Sequence, residues 1–162
     1  MQSPTKNAAF AGVLTALALI FGYIESLVPL FITMPGIKLG LANLVVLFAL
    51  YKLGWKWAAL VNACRMLLSA LLFTNAFTLL YSLFGALFAF LAMLAAKKSK
   101  LFSLCGVSIA GGAAHNIGQM AACLLFTQTQ AILHYMPVLI ISGALFGAAT
   151  GLVANLVLKR LR

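Results

Sequence analysis

Apolar residues fill the chain in long runs, and short polar interruptions divide those runs into six segments. A membrane-spanning helix needs about 20 apolar residues, within a range of about 17–25, so each run can be tested against that length. The first, about Ala8 to Pro29, meets it and is broken by Pro35-Gly36 within LFITMPGIK. The second, Leu39 to Leu53, is short for a crossing. It closes on YKLGWKW, whose lysines, glycine and tryptophans suit a turn at a membrane interface. Further runs follow at Ala58 to Phe73, Thr78 to Ala96, Phe102 to Phe126 and Met136 to Leu158, separated or closed by TNAF, KKSK and KRLR. The pattern predicts an all-α integral membrane protein, a six-transmembrane-helix bundle forming one membrane domain over residues 1–162.

Composition agrees. The chain is 65% hydrophobic and 7% charged, with mean hydropathy +1.14, against about 45–50% and about 25% in soluble proteins. Eleven Lys and Arg face a single acidic residue, Glu25. Such a balance can mark nucleic-acid binding, but here the cations cluster between apolar runs, as cytoplasmic loops of membrane proteins do, so no nucleic-acid partner is expected. Cys64, Cys105 and Cys123 are widely spaced within apolar runs and read as small packing residues, not as a disulfide frame or metal site. The N-terminal run is too long for a signal-peptide core and reads as the first span.

Loop charge also fixes an expected orientation. With the N-terminus inside, Lys6, Lys52, Lys56, Lys97, Lys98, Lys100, Lys159, Arg160 and Arg162 all fall on the cytoplasmic side, and Lys38 alone falls outside. This predicts an even number of crossings, cytoplasmic N- and C-termini, and a multi-pass location in the bacterial plasma membrane. It also implies that the short second helix crosses.

Helix contacts in lipid favour small residues, because apolar burial does not drive helices together there. Three rows qualify: Ala8, Gly12 and Ala16 in the first helix; Ser82, Gly85, Ala89, Ala92 and Ala96 in the fourth; and Gly143, Gly147 and Gly151 in the sixth. Each reads as an internal contact, or one of them as the docking face for a partner membrane protein.

Polar side chains inside spans are costly and mark functional positions. Glu25 and Asn43 fall near the outer ends of the first two helices. Asn62, Arg65 and Ser69 share one face of the third, with Arg65 about 12 Å from the inner interface. In the fifth, His115 and Gln119 share a face with Gly111, Gly118 and Ala122, and His115 lies about 22 Å along the axis from Lys100. The convergence of Glu25, Asn43 and His115 predicts a pocket open to the outside, with Arg65 beneath it. A structural Glu25–Arg65 pair is the competing reading. Enzymatic chemistry has little to work with: the chain has no Asp, no carboxylate pair, no GK[ST] loop and no HExxH, so neither a catalytic site nor a metal or other cofactor is expected.

The strings ES (25–26), Pro29, PGIKLGLAN (35–43), Arg65, GVSIAGGAAHNIGQ (106–119) and YMP (135–137) resemble, over nearly the full length, the family labelled heptaprenyl diphosphate synthase component I, also called the Gx transporter family. That family is similar to the substrate-binding S components of energy-coupling factor (ECF) transporters. The resemblance implies six helices, an outward pocket covered by the LFITMPGIK loop, and delivery of the ligand inward through an ECF coupling subunit and two ATPases. It further implies docking through an AxxxA pattern on the first helix, where this chain has Ala8, Gly12 and Ala16.

Prenyl diphosphate synthases hold their substrates through magnesium on Asp-rich motifs, which this chain lacks, so the transporter label fits the residues better. The expected function is uptake of a small organic molecule. Glu25, Lys38, Asn43, Arg65, His115, Asn116 and Gln119 would form the substrate site, with membrane lipid around the bundle. A non-catalytic membrane subunit of a prenyl diphosphate synthase and a stand-alone ion-coupled carrier are the alternatives.

Overall fold

The computed structural model describes residues 4–27, 39–73, 76–128 and 130–160. Among them every regular element is helical: α1 (Pro4–Leu27), α2 (Leu41–Lys52), α3 (Trp55–Phe73), α4 (Ala76–Ser99), α5 (Leu104–Thr127), a 3-10 helix (Gln130–Tyr135) and α6 (Met136–Arg160). The apolar runs mark these helices but misjudge their ends. The pattern stops α4 at Ala96 and α6 at Leu158, whereas the helices continue through Lys97–Ser99 and Lys159–Arg160. Lysine and arginine are good helix formers, so a helix can outlast its apolar stripe.

Local chemistry sets several boundaries. Ser103 accepts a hydrogen bond from the Gly106 N–H at 3.2 Å and so caps the start of α5. At the other end of that helix Gln128 adopts the left-handed conformation and returns its N–H to Leu124 O. Gly54, at φ 93°, donates to Ala49 O while its own carbonyl accepts from Ala58, so one residue ends α2 and begins α3.

Helix α2 sits at the centre. It has 12 residues, about 18 Å of helix, too short to cross a bilayer core of about 30 Å unaided. Yet it contacts all five other α-helices, and Val45 through Leu50 are all buried. A helix apolar on every side belongs in an interior. Around it, α1 packs on α2 and α3, while α5 lies between α4 and α6 along most of its length.

The outward surface is apolar. Val13, Ile20, Leu71, Leu91, Leu145 and Leu152 are all exposed. Among the described residues, three helical stretches are long and apolar enough to cross a membrane, Pro4–Glu25, Leu80–Ser99 and Leu133–Arg160. Helices α3 and α5 are diluted by polar residues, of which Asn62, Arg65, Asn116 and Gln119 are turned inward and buried. The molecule is therefore membrane-associated, with these four polar side chains enclosed between apolar helices.

The glycines explain how closely α5 meets α6. A methyl group at Gly112 would collide with the carbonyl of Gly143, and one at Gly147 would lie 2.7 Å from Ser108 O. At Gly151 it would lie 2.9 Å from the Cα of Cys105. Since these obstacles are backbone or sit beside it, only glycine permits the crossing. The α4 row is likewise internal, for Ala89 is fully buried and Gly85 abuts Gln119 and His115. The α1 row differs: Ala8, Gly12 and Ala16 are exposed, and a methyl group at Gly12 would meet nothing within 4 Å.

These contrasts predict opposite outcomes for two substitutions. Gly112→Val should destabilise the protein by about 3 kcal/mol or more, because the obstacle is backbone. Gly12→Val should leave the melting temperature in detergent within a few degrees of the unmodified chain, and thermal unfolding followed by circular dichroism measures both.

Candidate functional site

Polar side chains from α2, α5 and α6 meet in one small cavity. Its described lining comprises Leu39, Gly40 and Asn43 at the start of α2, Ser108, Gly111, Gly112, His115 and Asn116 on α5, and Gly143, Phe146, Gly147 and Thr150 on α6, with Met93 from α4. The accessible space is about 20 Å³, enough for one or two water-sized groups. The glycine crossing creates this space: five of its thirteen lining residues lack a side chain.

Each polar wall is held by bonds of its own. Asn116 is buried and its Nδ2 donates to the carbonyl of Leu139, tying α5 to α6. Thr150 Oγ1 lies 2.9 Å from Phe146 O and 3.1 Å from Gly147 O, so its proton goes to the backbone of α6. The 3.1 Å contact between Ser108 Oγ and Thr150 Oγ1 then has Ser108 as donor. His115 lines the cavity, and its imidazole rests on Gly85 of α4.

Arg65 is placed differently from the sequence expectation. It is buried, its Nε donates to Asn62 Oδ1 at 3.0 Å, and its Nη2 donates to Asn43 Oδ1 at 3.1 Å. Asn62 Nδ2 in turn reaches Ala86 O on α4 at 3.4 Å. The guanidinium thus joins α2, α3 and α4 behind the cavity and is absent from its wall. Burial of a charge requires such partners.

Glu25 is also engaged elsewhere. Its Oε1 accepts from the Gly40 N–H at 2.7 Å, placing a carboxylate at the N-terminus of α2, where the helix dipole favours negative charge. Gly40 has φ 76° and lines the cavity, so Glu25 shapes the site through the backbone. The charge of Glu25 also acts on Arg65 through space. Lys38 and the LFITMPGIK loop lie outside the described residues.

Gln119 does not line the cavity. Its face of α5 packs on α4, where a methyl group at Gly85 would meet Gln119 Cγ at 2.7 Å and one at Gly118 would meet Phe84 O at 2.6 Å. The side chain is 1% exposed, and neither Nε2 nor Oε1 has a hydrogen-bond partner among the described residues. The shared face of His115 and Gln119 is thus a helix seam, although His115 also borders the cavity.

Of the sequence candidates, Asn43, His115 and Asn116 are brought to one cavity, with Glu25 and Arg65 each one hydrogen bond behind it. Ser108 and Thr150 were missed by sequence reasoning. Both are small hydroxyl residues that merge into apolar helices, although the steps Ser108, Gly112, Asn116 and Gly143, Gly147, Thr150 place each on the row that forms the wall.

The division of roles predicts a contrast in stability. Asn43→Leu removes a bond to a buried cation and should cost about 1.5–3 kcal/mol, whereas Gln119→Leu removes an amide with no partner among the described residues and should be neutral or stabilising. Denaturation in mixed micelles distinguishes them.

No curated protein and no solved structure matches this chain at a significant level. One family model does, across residues 14–157, an interval that contains every residue of the cavity wall. By that match the chain belongs to the heptaprenyl diphosphate synthase component I family.

Proposed function

We propose that the protein is a substrate-binding membrane subunit, S-component-like in its working, that takes up a small organic molecule from outside the cell with an ECF-type energising module. The observation that carries this reading is the convergence of Asn43, His115 and Asn116, with the Ser108–Thr150 hydroxyl pair, on one cavity inside an apolar shell. Small-molecule sites combine apolar walls with a few placed polar groups in this manner.

In this reading all six helices cross the membrane and both termini are cytoplasmic. The short α2 crosses as an interior helix, so it never has to match the lipid thickness. The exposed row Ala8, Gly12 and Ala16 is the face on which a coupling subunit docks, since small residues allow backbones to approach. The chain carries one carboxylate side chain in all, so it has no acidic cluster of its own for magnesium-assisted chemistry, and it acts without catalysis.

A second reading has one observation in its favour. The family's printed description names a component of heptaprenyl diphosphate synthase, and a non-catalytic membrane subunit of such an enzyme fits those words. Both readings require a protein partner, and the identity of that partner separates them.

Purification from native membranes in mild detergent should recover the chain with ABC-type ATPases, and Gly12→Leu should lower that recovery at least tenfold without altering folding. Recovery with a prenyl synthase and no ATPase would establish the second reading instead. For the topology, single cysteines introduced at Lys6 and Arg160 in a Cys-free background should react with a membrane-impermeant maleimide only after the cells are opened.

A further inference from the structure

A second cavity adjoins the polar one and differs from it in size and polarity. It is a groove of about 530 Å³ between α1, α2 and α6, lined by Phe10, Val13, Leu17 and Phe21 of α1, Leu44 and Phe48 of α2, and Ala149 and Val153 of α6, among others. Its walls are almost wholly apolar. Helices α1 and α6 both pack on α2 without packing on each other, so α2 forms the floor. Leu39, Phe146 and Thr150 line both this groove and the polar cavity, so the two spaces lie side by side.

The sizes then restrict the ligand. Sites for small organic molecules typically enclose about 300–1,000 Å³, and the polar cavity offers about 20 Å³. A molecule whose polar group sits among Asn43, His115, Asn116 and Thr150 must keep the rest of its volume outside that cavity, and the groove is the roomy space beside it. Among the described residues, the polar cavity is lined by no Lys, Arg, Asp or Glu, and the guanidinium of Arg65 is held behind Asn43. An ionised head would be buried there with no opposite charge on the described wall, at a cost of several kcal/mol. A single hydroxyl or carbonyl both fits and finds partners, because asparagine and hydroxyl side chains donate and accept.

We infer that the site takes a long-chain amphiphile with one compact, uncharged oxygen head: the head sits in the α2–α5–α6 cavity and the chain lies along the α1–α2–α6 groove. This deepens the binding reading above and rests on its placement of the ligand. A phospholipid headgroup is too large for the cavity, and a prenyl diphosphate adds both charge and bulk that the described wall does not meet.

The test uses the full chain in nanodiscs and a hexadecanol bearing a photoreactive diazirine in its tail. Labelling should map to α1, α2 or α6, and unlabelled hexadecanol should suppress it at least tenfold below the concentration required of hexadecane or hexadecyl phosphate. Ala149→Trp, an exposed position on the groove, should abolish labelling. Thr150→Val, which keeps the side chain's shape, should erase the advantage of the alcohol over the alkane. Equal competition by hexadecane would overturn the inference by reducing the groove to a lipid-facing surface, and stronger competition by the phosphate would overturn the uncharged head. Energised uptake of a water-soluble compound that no alcohol displaces would overturn this inference while leaving the uptake reading intact. Selective alcohol labelling in a chain recovered only with a synthase would do the reverse.

Discussion

The arrangement depends on a short apolar helix held at both ends by opposite charges. Helix ends leave N–H and C=O groups without intrahelical partners, and in an apolar interior water is not there to satisfy them. Glu25 of α1 meets the N-terminal end of α2 through the Gly40 N–H at 2.7 Å. Lys97 of α4 meets the other end, its Nζ lying 2.6 Å from Leu50 O and 4.5 Å from the centre of the Tyr51 ring. Both charges have the sign that the helix dipole favours. The pairing explains how α2 can be buried on every side, and it locates α1 and α4 relative to it. From that fixed position α2 presents Asn43 to Arg65, Gly40 to the polar cavity, and Leu44 and Phe48 to the apolar groove.

The polar side chains of the interior consequently divide into groups with different work. Glu25, Lys97, Arg65 and Asn62 are bound to other parts of the protein and set the geometry. Asn43, His115, Asn116, Ser108 and Thr150 face a space that glycines open between α5 and α6. Gln119 stands apart on the α4 seam. In lipid a helix contact is made by shape and by hydrogen bonds, not by apolar burial. The same glycines that let α5 and α6 approach also leave the cavity its room, so the close packing and the cavity share one cause.

Much of this was legible in the sequence. Six helices follow from the apolar runs and their Gly, Pro and Lys interruptions, and the rows of small residues on α4 and α6 are indeed contacts. The strings at PGIKLGLAN and HNIGQ carried the family. Partnership between helices was harder to see, because periodicity tells which residues share a face and not what that face meets. Glu25 and Arg65 read as ligand groups or as a pair with each other, and each holds a hydrogen bond to another part of the protein; Gln119 reads as a pocket residue and lies on the α4 seam; Ser108 and Thr150 give no signal of their own among apolar neighbours. The length of α2 looked like a defect of the pattern. It goes with a helix whose stretch from Val45 to Leu50 is buried among the others.

The central claim is that the cavity between α2, α5 and α6 holds a molecule the protein selects. Mass spectrometry of small molecules that remain with the chain through purification tests it most directly, with Asn116→Leu as the comparison. The account predicts one compound other than a bilayer phospholipid, retained in near-stoichiometric amount by the unmodified chain and lost from a folded Asn116→Leu variant. Identical spectra from the two, containing bilayer phospholipids and nothing else, would contradict it.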